Sequence, residues 1–254
     1  FSALRLPDYP TIYDYLILAL RGKDIVASFN WDPFLLQAYM RNQKIGMDNL
    51  PKVAFLHGNV LVGQCEQDAV AGVMGRSCRR CGNPLLPSRL LYPIKHKDYS
   101  GDKFIKNEWD TLQHYLKRGY FLTVFGYSAP KTDVEARRIM LDVWTKNPHL
   151  ELNEVEVIDV KTEEEIKLSW AEFFYSHHYT VNDSVWNSYL FRHPRRSCDA
   201  FASASLNVSP WHDNPFPQFD TLSELQAWVR PLIEEEQAYH SSGTPFSGNP
   251  LKVD

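Results

Sequence analysis

A chain of 254 residues, 44% hydrophobic and 23% charged, is long enough for one large α/β domain with an appendage and too apolar to be disordered throughout. Its formal charge of -4 removes the usual electrostatic case for nucleic acid as the main partner, and no apolar run approaches the roughly 20 residues of a bilayer span. Nothing resembles a secretory signal, so a cytoplasmic location is expected; the first residue is Phe1, so the chain is expected to be less than the complete gene product.

In chain order, two prolines in residues 1–10 give an irregular lead-in, and Thr11 caps a helix to about Leu20 that Gly22 stops. Asp24 to Asp32 begins as a short apolar strand that ends abruptly in polar groups, and Pro33 then opens a helix from Phe34 to about Asn42. Val53 to Leu56 is a second strand, ended by His57-Gly58. Residues 59–88 are small, glycine-dotted and cysteine-bearing, an inserted module. A strand or strand boundary is expected at Arg89 to Ile94, a helix from Asn107 to Arg118, and a clear strand from Tyr120 to Phe125 that runs into Gly126-Tyr127-Ser128. Thr132 or Asp133 caps the next helix, and Glu154 to Val160 is a final strand.

Strands alternating with helices at this spacing predict a Rossmann-like, doubly wound parallel sheet over residues 1–162. Residues 163–240 read as a helical C-terminal region, with a capping box from Thr221 to Glu224, and 241–254 as a flexible tail. In open parallel sheets, ligands bind outside the carboxyl ends of the strands. If the first two strands are neighbours, Asn30, Asp32 and His57 emerge at one edge: an amide, a carboxylate and an imidazole in one cleft. The plain alternative for Asn30 and Asp32 is helix capping, which Pro33 fits. Gly126 permits close backbone approach to a ligand, and Ser128 offers a hydroxyl at a strand end.

Asn30-Trp31-Asp32, His57-Gly58, the Cys78-Arg79-Arg80-Cys81-Gly82 knuckle and Gly126-Tyr127-Ser128, in this order, resemble the SIR2 (sirtuin) superfamily over roughly residues 11–160. The resemblance implies that Asn30 holds the nicotinamide ribose and the attacking group, that His57 is general base on a ribose hydroxyl, and that Asp32 contacts the carboxamide of NAD+. It assigns Gly126 and Ser128 to the adenosine ribose, with Asp159 standing near where the family usually presents an Asn. It also implies an opening strand with a Gly-Ala-Gly-type phosphate loop, and residues 1–24 contain no such loop.

Four cysteines are present, and Cys65, Cys78 and Cys81 lie close together in sequence, which reads as metal or redox chemistry before disulfide scaffolding. The family's structural zinc uses two C-x-x-C pairs. Here the first is Cys65 with Asp68 where its second cysteine would fall, so a site of three sulfurs and one oxygen is expected if zinc is bound. Cys198 reads as a buried thiol, and Arg192-His193-Pro194-Arg195-Arg196 as a solvated basic loop. The function expected is a SIR2-like NAD+ hydrolase of the antiphage-defence kind, working as a homo-oligomer or beside a defence partner protein. The alternatives are an NAD-dependent protein deacylase and a regulatory module that binds NAD or ADP-ribose without turnover.

Overall fold

The computed structural model describes residues 3–68, 70–92, 99, 101–127, 133–206 and 211–242. The expected elements appear in order: α1 (Ile12–Ala19), β1 (Ile25–Ser28), α2 (Phe34–Asn42) and β2 (Lys52–Phe55), then a small module of β3 (Val62–Gln64), β4 (Ala71–Val73) and β5 (Leu86–Pro87). There follow α3 (Lys103–Leu116), β6 (Phe121–Phe125), α4 (Val134–Trp144), β7 (Glu154–Ile158), α5 (Glu163–Trp170), β8 (Tyr179–Asn182), α6 (Tyr189–Arg192), α7 (Ser197–Ser205) and α8 (Leu222–Ser242). Helix α3 begins four residues before its expected start at Asn107, because Asp102 is its cap and accepts the Ile105 N–H at 3.0 Å. The strand–helix alternation gives parallel pairing of β1 with β2 and of β6–β7–β8, while the module is antiparallel in the order β4–β3–β5. The fold is a parallel α/β architecture with an inserted cysteine-bearing module and a C-terminal helix.

The parallel strands form two sheets. Among the described residues β1 pairs only with β2, and β6 only with β7. The two are joined at both ends. Phe29, just past β1, stacks on Tyr127, just past β6, with ring centres 4.0 Å apart. At the other end α7 touches both: Ser197 Oγ donates to Asp24 at 3.4 Å, and the Phe201 ring lies 5.8 Å from that of Tyr120. One hydrophobic cluster runs through both sheets, and its fully buried members include Trp109, Trp144, Trp170 and Phe173.

The expectation of a helical C-terminal region over 163–240 is corrected at β8, which extends the sheet in register with β7 from Val155↔Tyr179 to Ile158↔Asn182. Its four residues, YTVN, follow an aromatic, histidine-bearing run that hides the β pattern. The expected solvated basic loop is also corrected. Arg195 is 1% exposed and Arg196 5%, and both pair with Glu236 of α8. Cys198 is exposed rather than buried. The strand or strand boundary at 89–94 is not formed over 89–92, and residues 93 and 94, together with Thr132 and 243–254 of the expected tail, lie outside the described residues.

Strand β7 carries two glutamates on one pleated face, Glu154 and Glu156, both buried where a parallel sheet normally holds only apolar side chains. Glu156 Oε1 accepts from Asn182 Nδ2 at 2.9 Å and from the Tyr189 N–H at 2.8 Å, and its Oε2 accepts from Thr123 Oγ1 at 3.2 Å. Burial nevertheless pushes its carboxyl up from 4.5 to about 7. Between those values the folded state holds a proton that the unfolded state gives up, so stability falls as pH rises through the window. Glutamine keeps the acceptor and carries no charge. Glu156→Gln is therefore expected to melt several degrees above the wild type at pH 8, a gain of about 3 kcal/mol at order of magnitude, with the difference closing near pH 5. Thermal melts across that range check it, and equal melting points at pH 8 overturn it.

Candidate functional site

The β1–β2 register, Ser28↔Phe55, puts Asn30 and His57 two residues past the same rung, at the carboxyl ends of neighbouring parallel strands. Asn30 is exposed; its N–H donates to Ser28 Oγ at 3.1 Å, and its amide makes no hydrogen bond among the described residues. Asp32 is half-buried and its Oδ1 accepts the Phe34 N–H at 3.0 Å, reaching across Pro33, which takes the N-cap position of α2.

His57 is held by its neighbours in sequence. Glu108 Oε2 of α3 accepts the Phe55 N–H at 2.7 Å, Trp109 Nε1 donates to the Leu56 carbonyl at 3.0 Å, and the His57 carbonyl accepts the Leu91 N–H at 2.9 Å. Burial pushes the Glu108 carboxyl up to about 7. Gly58 takes φ +81°, and a Cβ there would meet the Arg89 carbonyl oxygen at 2.1 Å, so only glycine allows the chain leaving the module to lie against the chain entering it. Asn59, 1% exposed, fastens the module to the first strand's end by donating to the Asp32 carbonyl at 2.6 Å.

The His57 ring sits in an aromatic wall. Phe29 meets it edge-on at 5.0 Å, and Tyr99 lies behind it. Its Nε2 is 3.1 Å from the Tyr99 hydroxyl and 3.7 Å from Asp133 Oδ2. Tyr99 donates to Asp133 Oδ1 at 2.9 Å, and Tyr127 donates to Asp133 Oδ2 at 3.3 Å. Burial first, then the Asp133 charge, raises both phenols well above the usual tyrosine value, so both remain protonated donors. The sequence reading missed this cluster. Asp133 looked like a helix cap, yet its side chain makes no capping bond and turns inward.

Gly126 and Asp159 come together on the other sheet. They line a shallow cleft of about 410 Å³ with Ile158, Lys161 and Asp183, beyond the carboxyl ends of β6 and β7. Gly126 takes φ +65°, and nothing stands within 4 Å of where its Cβ would be. Ser128 lies outside the described residues. A larger hollow of about 510 Å³ between α3 and α4 is lined by Gln113, Lys117, Arg138 and Asp142, away from the strand ends.

In the module, Cys65, Asp68, Cys78 and Cys81 each offer a ligand atom, all within 4.8 Å of one another. Cys65 Sγ is 3.4 Å from Cys81 Sγ, and Asp68 Oδ2 is 3.5 Å from Cys78 Sγ and 3.8 Å from Cys65 Sγ. Three sulfurs and one carboxylate oxygen closing on one point are a donor set that tetrahedral zinc accepts. The residues fit such an ion, and all four ligands would be protein atoms.

No protein-family model matches the chain, and no curated protein matches it either. Among solved structures it is similar to one described as the structural basis of sirtuin substrate affinity, at 14% identity and a TM-score of 0.38, over 68% of this chain and 65% of that one. It is similar to a Sir2 homologue–NAD complex at 15% identity and a TM-score of 0.38, over 87% of this chain and 64% of that one. A third is Sir2 in complex with the inhibitor EX-527, 2'-O-acetyl-ADP-ribose and a deacetylated p53 peptide, at 16% identity and a TM-score of 0.35. That match covers 61% of each chain, so the chain spans less than two thirds of each of these three structures.

Proposed function

We propose that the chain is a SIR2-like NAD+ hydrolase that cleaves the nicotinamide–ribose bond to ADP-ribose and nicotinamide, with antiphage defence as its setting. The observation that carries the reading is the common register of Asn30 and His57 at the ends of paired parallel strands, the place where such sheets bind ligands. NAD+ is the substrate. The exposed Asn30 amide holds the nicotinamide ribose and the attacking group. His57, walled by Phe29 and Tyr99, accepts a proton from a ribose hydroxyl as positive charge develops on the ribose. Asp32 contacts the carboxamide, and Gly126, Ser128 and Asp159 receive the adenosine side.

Cys65, Asp68, Cys78 and Cys81 would hold a zinc ion that fastens the module and supplies no reacting group. About one zinc per chain is then expected by elemental analysis, and Cys78→Ser should remove it. Zinc retained after loss of both Cys78 and Cys81 refutes this site. The protein is proposed to act in the cytoplasm as a homo-oligomer or with a defence partner. No helix among the described residues is long and apolar enough to cross a membrane.

A second reading, NAD-dependent protein deacylase, is favoured by one observation: Asp68 stands among the thiols, so the knuckle keeps four donors instead of three. The two readings differ in what accepts the ADP-ribosyl group. Purified protein given NAD+ alone is expected to release nicotinamide and ADP-ribose, detected by mass, with no gain in rate on adding acyl-lysine peptide. A strict need for the peptide, with O-acyl-ADP-ribose as product, makes the protein a deacylase. Binding of NAD+ with no consumption under either condition makes it a regulatory module.

A further inference from the structure

We infer that Asp133, acting through Tyr99, is a positioning residue for His57: it keeps a hydrogen on Nε2 and offsets the charge of the imidazolium. This rests on the reading of His57 as a general base, and it adds groups that reading did not contain.

A phenol has one proton. Tyr99 spends its proton on Asp133 Oδ1 at 2.9 Å, so toward His57 its oxygen can only accept. The 3.1 Å contact therefore places a hydrogen on Nε2. A ring whose Nε2 already carries a hydrogen can take up another proton only at Nδ1. The step balances simply: a ribose O–H bond breaks, an Nδ1–H bond forms, and the positive charge that appears on the ring is met by the Asp133 carboxylate 3.7 Å away. His57, Tyr99 and Asp133 are 7%, 4% and 5% exposed, so water screens this attraction little. Among the described residues the ionisable groups on His57 come from three segments: Tyr99 ahead of α3, Asp133 at the start of α4, and Tyr127 after β6, bound to the same carboxylate. Glu135 and Arg137 act on the two tyrosines from farther along α4, with opposite sign.

The test reads His57 directly, without turnover. Histidine ¹⁵N shifts of the full chain should place the neutral ring's hydrogen on Nε2; a hydrogen on Nδ1 overturns the inference. In Asp133→Asn the His57 titration midpoint should fall by at least about one pH unit, as expected on losing an opposite charge at this range. A midpoint that moves by less than a few tenths in folded Asp133→Asn also overturns it. If that variant does not fold, Tyr99→Phe serves: its neutral ring should lose the preference for the Nε2 hydrogen, and an unaltered preference refutes the relay. With NAD+, Asp133→Asn should lower kcat at least tenfold with KM within about twofold, and move the acidic limb of the rate profile down by the same shift the spectrum reads. An Nε2 hydrogen in the wild type and the titration shift in Asp133→Asn, found in a protein that never consumes NAD+, leave the Asp133–His57 pairing standing and remove the hydrolase reading instead.

Discussion

His57→Ala is expected to lower the release of nicotinamide from NAD+ at least 100-fold, the scale of a lost general base. The fold should survive, because the main chain here is held independently of the imidazole by Glu108, Trp109 and the Leu91 N–H. Some stability is lost, about 1–3 kcal/mol, since the buried Tyr99 hydroxyl loses its ring partner. Asn30→Ala is the sharper companion. Asn30 is exposed and its amide makes no hydrogen bond among the described residues, so the variant should melt with the wild type while losing activity on a similar scale. Turnover assays beside thermal melts separate chemistry from folding, and His57→Ala working near the wild-type rate removes the proposed mechanism.

Glu236→Ala is expected to cost about 3–5 kcal/mol in urea or thermal unfolding. Glu236 of α8 receives Arg195 through both oxygens, at 2.9 and 2.6 Å, and Arg196 at 2.8 Å. Arg195 also donates to the Leu20 and Asn49 carbonyls, and its N–H to the Ala19 carbonyl, so it ties α8 to the end of α1 and the approach to β2. It holds these contacts from a left-handed backbone, φ +63°. With the carboxylate removed, a fully buried guanidinium keeps its desolvation cost and loses its counter-charge, while Arg196 retains Glu235. Replacing Arg195, Arg196 and Glu236 together by apolar residues of similar size should cost less than the single substitution, because the penalty lies in the orphaned charge. A single substitution worth under 1 kcal/mol would mean that water reaches this cluster.

The parts of the site that the sequence made legible are those whose signal is local. The run from Asp24 to Ser28 is too short and too rich in β-formers for a helix, Pro33 marks the start of α2, and the apolar run before His57 ends as sharply as β2 does. Parallel pairing of those two strands followed from alternation with helices, and it brings Asn30 level with His57. The Cys65–Asp68 and Cys78–Cys81 spacings likewise carried their own convergence, since four donors within 17 residues need only a tight antiparallel module to meet.

Other features were decided by partners far along the chain. Tyr99 lies 42 residues from His57, and Asp133 34 residues from Tyr99. Neither position has a periodicity that tells a cap from an ion-pairing group, and only the docking of α3 and α4 against the two sheets brings them together. Arg195, 41 residues from Glu236, reads locally as part of a solvated basic loop. Their burial depends on α8 closing over the end of α1. Strand β8 is concealed for the same reason: four residues after an aromatic run become a strand because β7 offers them an edge. Apolar pattern and turn chemistry are properties of neighbours in sequence, so the sequence by itself determined the elements of residues 11–160 and the strand ends of the candidate site, while β8 escaped it. Which charges are buried and which partner each one meets depends on the free energy of bringing distant groups together out of water, and that only the tertiary structure decided.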